Sequence, residues 1–338
     1  MSKLLSPKVL VPVAIVIVAI IIQNIFTIPG VILPEISIPA EPVFELFGWP
    51  ITNTLVSAWL TMLLLIVGCW LITRKMKTVP GRWQGALEMV IEGFYNMVEG
   101  AAGPKWTPKF FPIVMTIFLF VIAANWLGLT PLFGSWGALH HAEAGHEGHA
   151  VEWLGDGHSV GILVKEDAAA AEGEHEGEGE AYILAPLFRA ATTDMNFTLA
   201  LAIVSVLLTQ YFGVQALGLG YFGKFVAVKG VFRAFTKPGL GCGGRIGAFF
   251  LGIIDIFIGL VESISEIGKV VSFSFRLFGN IFAGEVLLGV MAFLIPYVVS
   301  LPFFGLEIFV GLVQALVFMM LTVAFFVVAI SSHGEEGH

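Results

Sequence analysis

A single arginine, Arg276, lies in a long apolar stretch of the chain where charged residues are rare. Apolar and small residues flank it on both sides, SFSF at 272–275 and LFG at 277–279. An arginine at the centre of a membrane helix costs roughly 2.5 to 3.5 kcal/mol on insertion scales, so such a residue is usually partnered and functional. A purely structural arginine that snorkels needs a nearby interface, which these flanks do not provide. The position therefore favours the binding of a mobile anion.

Arg276 belongs to a regular series of polar residues. The series has spacings of 7, 4, 3, 7 and 4 and consists of Asp255, Glu262, Glu266, Lys269, Arg276 and Asn280. At 100° per residue these positions fall within a helical sector of about 80°, which predicts one polar stripe on an apolar helix. Pairing within the helix, as between Glu266 and Lys269 at i and i+3, is the structural alternative for part of the stripe.

Three further polar residues lie off this stripe. Glu285 projects from a different side of the same helix, and Glu307 and Gln314 are seven residues apart and share a face in the last apolar stretch. An interhelical hydrogen bond is an equally good explanation of Gln314.

The composition places these residues in a membrane. Hydrophobic residues make up 57% of the 338 positions, charged residues 12%, and the mean hydropathy is +0.91, which predicts a polytopic membrane protein. The formal charge of −8 comes mostly from one acidic segment and does not indicate a nucleic-acid partner.

Six apolar stretches are long enough to cross a bilayer, judged against about 20 residues per span. They cover about 9–28, 51–73, 108–132, 195–219, 247–296 and 302–331. The fifth is about fifty residues long and has no proline in its interior, so it either breaks into two helices or crosses the membrane at a steep tilt. The polar stripe favours a continuous helix.

Basic clusters set the expected topology. Lysines and arginines precede the first stretch and follow the second and fourth, so the positive-inside rule places those ends, and both termini, in the cytoplasm. The first stretch is interpreted as a retained span, and a cleaved signal sequence is the alternative. The expected organisation is an N-terminal apolar segment and outer linker at 1–50, a membrane domain at 51–331 and a cytoplasmic tail at 332–338.

An acidic loop at 133–192 is expected on the outer side. It interleaves glutamates with histidines, which are His140, His141, His146, His149, His158 and His175. A hydrated segment without a fixed fold or ligand is the favoured interpretation. A proton-collecting antenna and a metal site are the alternatives.

Two motifs carry a family resemblance. Residues 274–285, SFRLFGNIFAGE, and residues 314–318, QALVF, resemble the arginine and glutamine signatures of subunit a of F-type ATP synthases, called subunit 6 in mitochondria. Residues 79–84, 125–131 and 193–199 also match, so the resemblance covers about 45–331.

The resemblance implies an all-α fold with about five core membrane helices, including a long tilted helical hairpin that packs against the c-subunit ring. It implies the ion-translocating stator of a rotary motor, without catalysis or a cofactor in this chain. The resemblance implies that Arg276 separates two half-channels and keeps the passing ring carboxylate ionised. Asn280, Glu285, Glu307 and Gln314 line the outer half-channel, and Glu262 and Ser265 line the inner one.

The resemblance also implies the surroundings of the chain. These are the c-ring, peripheral stalk b subunits, the F1 catalytic head through the complex, the lipid bilayer of a bacterial plasma (inner) membrane, and H⁺ as the transported ion. An independent transporter in which Arg276 binds an anionic substrate is the alternative, but neither internal repeats nor broken helices stand out in the sequence.

Overall fold

The computed structural model describes residues 39–74, 76–131, 133–134, 136–141, 149–153, 161–167, 182–225, 242–294 and 300–331. The first apolar stretch, at 9–28, and the tail, at 332–338, lie outside these residues. Within the described part the fold is all-α in its membrane portion, as the sequence predicts.

Six long helices make up most of the described chain. They are α1 (Asn53–Thr73), α2 (Arg82–Ala102), α3 (Thr107–Gly128), α4 (Met195–Leu217), α5 (Cys242–Leu294) and α6 (Ser300–Ile330). Four of them, α1, α3, α4 and α6, are long and apolar enough to cross a membrane. Helix α2 was not among the predicted spans, and it lies between the two spans α1 and α3.

Helix α5 contains most of the fifth apolar stretch, for which a broken and a continuous helix were both considered. It is a single α-helix of 53 residues, so the continuous alternative is confirmed. At 1.5 Å per residue its length is about 80 Å, well over twice the thickness of a hydrocarbon core. The polar stripe therefore runs along one unbroken helix.

The chain divides into two compact units. The first unit comprises Met1–Met62, Ala123–Asp194 and Gly279–Leu312, and the second comprises Leu63–Ile122, Met195–Phe278 and Val313–His338. In the first unit, polar side chains at the start of α1 fasten the segment that precedes α4. The Asn53 side-chain amide donates to the Pro186 carbonyl at 3.1 Å, and the Thr54 hydroxyl donates to the Asp194 carboxylate at 2.8 Å.

Aromatic packing and buried hydroxyl groups join the helices of the second unit. The ring of Phe110 on α3 lies 4.8 Å from Phe212 and 5.0 Å from Phe326, centroid to centroid. The Ser205 and Thr322 hydroxyls are 3.0 Å apart between α4 and α6. Because lipid is as apolar as the helix surfaces, close packing and such interhelical hydrogen bonds hold a membrane bundle together.

Short strands lie outside the helices. A hairpin of β1 (Pro42–Leu46) and β2 (Trp49–Thr52) precedes α1, and its two-residue turn places Phe47 at φ 52° and Gly48 at φ 81°. Positive φ at both central residues is the signature of a type I′ turn, whose twist suits a hairpin.

The acidic outer loop is more ordered than the sequence analysis expected. Four strands form a sheet in the order β3-β6-β4-β5, with β3 at Gly137–His141, β4 at His149–Trp153, β5 at Gly161–Asp167 and β6 at Tyr182–Pro186. The expectation of a loop without a fixed fold is therefore wrong for these segments, because β-branched residues such as Ile162 and Val164 favour strands. The repetitive Gly-Glu-His part, at 172–180, lies outside the described residues.

Candidate functional site

Helix α5 presents Arg276 on its exposed side. Buried neighbours hold the opposite side of this part of the helix, since Phe273, Ser274 and Leu277 are 2%, 0% and 0% exposed. The Ser274 hydroxyl lies 3.1 Å from that of Thr198 on α4. These residues are buried within the second unit, and Arg276 stays exposed.

Arg276 lies on the polar stripe of α5, where the exposed residues Ser265 and Asn280 share its side of the helix. Other sides of the helix expose apolar side chains, among them Ile264, Ile267, Val271 and Phe275, which are between 46% and 66% exposed. Arg276 forms no ion pair or hydrogen bond with any residue in the described part of the chain. It is therefore available to an anion that approaches from outside the chain.

The other predicted residues are distributed along α5 and α6. Ser265 and Asn280 are exposed on α5, and Glu262 is partly buried there. Gln314 on α6 is only 4% exposed. Asn280 belongs to the first unit, and Ser265, Glu262 and Gln314 belong to the second.

Glu285 has a cationic partner that the sequence analysis did not identify. The Nε atom of Arg189 lies 3.5 Å from Oε1 of Glu285, and the guanidinium lies 5.9 Å from the centre of the Phe282 ring, one helical turn earlier on α5. Arg189 is 8% exposed and Glu285 is 46% exposed. A buried arginine is thus held between an aromatic face and a half-exposed carboxylate.

Glu307 lies in a very different setting. Its carboxylate packs against the backbone of α5 at Gly284, so closely that a β-carbon at this glycine would overlap it. Glu307 is 6% exposed, and its Oε1 atom has no hydrogen-bond partner among the described residues. The structure therefore brings the Glu307 carboxylate next to Gly284, the residue that precedes Glu285 in the chain.

A chain of hydrogen bonds fixes the segment that contains Arg189. The backbone N–H of Arg189 donates to the Ser57 hydroxyl at 3.2 Å, and the Thr192 hydroxyl donates to the Asn125 amide oxygen at 2.8 Å. Asn125 in turn donates to the Gly311 carbonyl on α6 at 3.1 Å. The sequence signal for Arg189 was a single cation just ahead of the 193–199 motif, but its partner lies far away in the chain and has no periodic relation to it.

A second polar cluster lies within the second unit. Lys269 Nζ lies 2.6 Å from Glu266 Oε1, and the Gln210 amide donates to Glu266 Oε2 at 3.0 Å. The predicted i to i+3 pair is therefore confirmed, and Gln210 is an addition from α4. Burial of the Tyr221 phenol, followed by the negative charges of Glu266 and Glu262, raises the pKa of Tyr221 from 10.0 to about 12.

The structure describes only part of the acidic loop for which a metal site was considered. The described residues contain no group of three or more His, Cys, Asp or Glu side chains that could hold a metal ion. His146, His158 and His175 of the outer loop lie outside the described residues.

These features define a class of protein. Several helices are long and apolar enough to span a bilayer, and the polar stripe runs along one long helix beside them. The chain is an integral, multi-pass membrane protein.

Comparisons with known proteins identify the family. The family model described as ATP synthase A chain matches residues 55–327. A protein from Moorella thermoacetica named ATP synthase subunit a is 27% identical over 295 residues, which cover 87% of this chain and 98% of that protein. A protein of the same name from Gloeobacter violaceus is 28% identical over 289 residues, 84% of this chain and 86% of that protein. A third, from Desulforamulus reducens, is 27% identical over 295 residues, 85% of this chain and 82% of that protein.

Because the family match spans most of the chain, this protein belongs to the ATP synthase A chain family. It is a proton-translocating stator subunit of the membrane F0 sector, and catalysis of ATP synthesis takes place in other subunits.

Proposed function

We propose that Arg276 is the residue that couples proton flow to rotation of a c-subunit ring. The ring carries carboxylates at mid-membrane, and Arg276 pairs with each one as it passes, which keeps that carboxylate ionised. An arginine suits this task because its guanidinium stays protonated inside a protein and cannot carry the proton across, whereas a buried lysine loses its proton more readily. Protons then cross only when the ring turns.

One observation carries this proposal. Arg276 is exposed on an unbroken 53-residue helix and has no counter-ion among the described residues. A permanent charge in a membrane needs a partner, so an external carboxylate is its natural complement. Exposed apolar side chains on other sides of the same helix suit an apolar membrane setting.

Two half-channels complete the mechanism. Asn280, Glu285, Glu307 and Gln314 belong to the outer one, and Glu262 and Ser265 belong to the inner one. The carboxylate of Glu307 beside Gly284 and the Arg189 partner of Glu285 support the outer assignment. Carboxylates and water can pass a proton along such a path over hydrogen-bond distances.

The proposed setting is a complete rotary ATP synthase. Peripheral stalk b subunits hold this stator, and the F1 catalytic head uses the rotation. The membrane is a bacterial plasma (inner) membrane with both termini of the chain in the cytoplasm, in keeping with the basic clusters of the sequence.

Replacement of Arg276 tests the proposal. In purified, reconstituted ATP synthase, Arg276→Ala should abolish ATP synthesis and ATP-driven proton pumping while leaving the complex assembled. Arg276→Lys should also fail, because a compact ammonium differs from a planar guanidinium. Arg74→Ala, at an exposed arginine outside the stripe, is the control and should behave as the parent. Substantial coupled synthesis by either assembled Arg276 variant would refute the proposal.

A further inference from the structure

We propose that Arg189 is a positioning residue of the outer proton path, and that it acts through Glu285. This inference rests on the function proposed above, because it concerns the same pair of acids. It assigns different tasks to them: Glu285 is the fixed anion that Arg189 balances, and Glu307 is the acid that takes up and releases the proton.

Arg189 is a buried positive charge that needs a partner. Its side chain is 8% exposed, and a buried guanidinium needs a counter-charge, because leaving it unpaired is strongly unfavourable. Glu285 provides that charge at 3.5 Å from Nε, and Phe282 provides an aromatic face at 5.9 Å. Phe282 and Glu285 are three residues apart on α5, so both reach the same guanidinium from one side of the helix.

Hydrogen bonds hold the backbone around Arg189 in place. The chain around Arg189 is fastened on both sides, by Asn53 on the Pro186 carbonyl and by Ser57 on the Arg189 backbone N–H. Three residues later, Thr192 is bonded to Asn125. A functional group held by such supporting bonds keeps its geometry without further ordering. Arg189 can therefore hold the Glu285 carboxylate in one place.

Glu307 is the second acid at this part of α5. Glu307 packs against Gly284, whose Cα is about 3.8 Å from that of Glu285 along the backbone. Two uncompensated acids, one packed against Gly284 and the other at the next position of α5, would repel each other in a membrane, and their titrations would be coupled. With Arg189 on Glu285, only the Glu307 charge changes when a proton arrives. Asp194, a further acid of this unit, has its own hydrogen bond from Thr54.

A double-mutant cycle tests this inference in the reconstituted complex. Arg189→Gln, Arg189→Lys, Glu285→Gln and the Arg189→Gln/Glu285→Gln pair are compared by the initial rate of ATP-driven proton pumping per assembled complex. Arg189→Gln should lower the rate by about tenfold, and Arg189→Lys should restore most of it, because the balancing charge returns. In the Glu285→Gln background, Arg189→Gln should cause no further loss, since the residue through which it acts is already gone. Arg74→Gln is the control and should keep the parent rate.

The outcomes separate this inference from the proposed function. An equal loss from Arg189→Gln in both backgrounds would overturn the inference, because Arg189 would then act independently of Glu285. Failure of both Arg189→Gln variants to assemble would also overturn it, by showing that Arg189 has a structural role. Assembly that fails with Arg189→Gln alone and returns with the pair would support it. A Glu285→Gln/Glu307→Gln variant that pumps at the parent rate would instead refute the outer half-channel itself.

Discussion

The two units each contain an ion pair, and the two pairs are built differently. In the second unit, Lys269 and Glu266 are one helical turn apart on α5 and meet at 2.6 Å. In the first unit, Arg189 comes from a distant segment and lies 3.5 Å from Glu285. The helix itself brings the members of the local pair together. The distant pair depends on the position of the segment that contains Arg189, which is hydrogen-bonded to Asn53, Ser57 and Asn125.

This difference has a functional meaning. The Lys269–Glu266 pair leaves both side chains mostly buried, at 18% and 11% exposure, and its remaining carboxylate oxygen accepts from Gln210. The arrangement satisfies the pair internally and favours a structural role. Glu285 is 46% exposed despite its partner, and the nearby Glu307 has a buried oxygen without a hydrogen bond in the described residues. In the proposed path, Arg189 balances Glu285, and the incompletely bonded Glu307 is the acid suited to exchange a proton.

The largest expected effect is the loss of both outer acids. Replacing Glu285 and Glu307 with Gln together should block ATP-driven proton pumping, because no carboxylate remains on this proposed path to carry the proton. Glu285→Gln alone should be milder, because Glu307 still carries the proton, and Glu307→Gln alone should lie closer to the double change. Pumping is measured by quenching of a pH-sensitive dye in vesicles, with Glu266→Gln/Lys269→Met as the matched neutral pair. Loss of pumping in that control to the same extent would remove the functional contrast between the two units.

The next effect concerns the local pair and appears in stability. Lys269→Met leaves the buried Glu266 charge without its cation and should cost about 3 kcal/mol. Glu266→Gln/Lys269→Met should recover most of that loss, since no buried charge remains. The thermal dissociation midpoint of the purified complex measures both variants. A double variant as unstable as the single one would show that lost packing of the lysine stem, rather than the unpaired charge, causes most of the destabilisation.

A smaller effect is expected at Gly284. A β-carbon at this position overlaps the Glu307 carboxylate, so Gly284→Ala must displace that side chain and should cost about 2 kcal/mol, with slower proton pumping. Gly305→Ala is the control, because a β-carbon there meets nothing within 4 Å. Equal pumping rates in the two variants would mean that the position of the Glu307 carboxylate does not matter for transport.

The smallest effect is an alkaline one in the second unit. Burial and the charges of Glu266 and Glu262 raise the pKa of Tyr221 from 10.0 to about 12. Because the folded pKa lies above the unfolded one, the stability contribution is complete below about pH 10 and is lost as the pH rises towards 12. Tyr221→Phe should therefore lose less stability than the parent over this range, while Tyr211→Phe, at an exposed tyrosine, should keep the parent's dependence. Unfolding midpoints against pH measure this, and identical alkaline losses in parent and Tyr221→Phe would contradict it.

Local patterns explain what the sequence could predict. The continuous helix α5 and the Glu266–Lys269 pair follow from a 3.6-residue period, which is visible in one segment of chain. The apolar lengths of α1, α3, α4 and α6 identified their spans in the same way.

Long-range contacts explain what the sequence could not predict. Arg189 and Gln210 reach α5 from other parts of the chain, and nothing in the spacing around them specifies which acid they meet. The strands of this loop were missed because its glycine- and glutamate-rich composition concealed short apolar runs such as the one in Gly161–Asp167. The predicted proton-translocation roles depend on groups outside this chain and remain predictions for all seven residues, which are Arg276, Asn280, Glu285, Glu307, Gln314, Glu262 and Ser265.

Proton flux through a complex whose ring cannot turn reveals whether Arg276 is a barrier. Rotor and stator of the reconstituted enzyme are cross-linked, a pH difference is imposed across the vesicles, and the passive flux is recorded for the parent and for Arg276→Ala. The parent should show no flux above that of empty vesicles, and the alanine variant should leak, because the two half-channels then join. An Arg276→Ala complex that stays as tight as the parent when locked, and still pumps protons when unlocked, would contradict the assignment of Arg276.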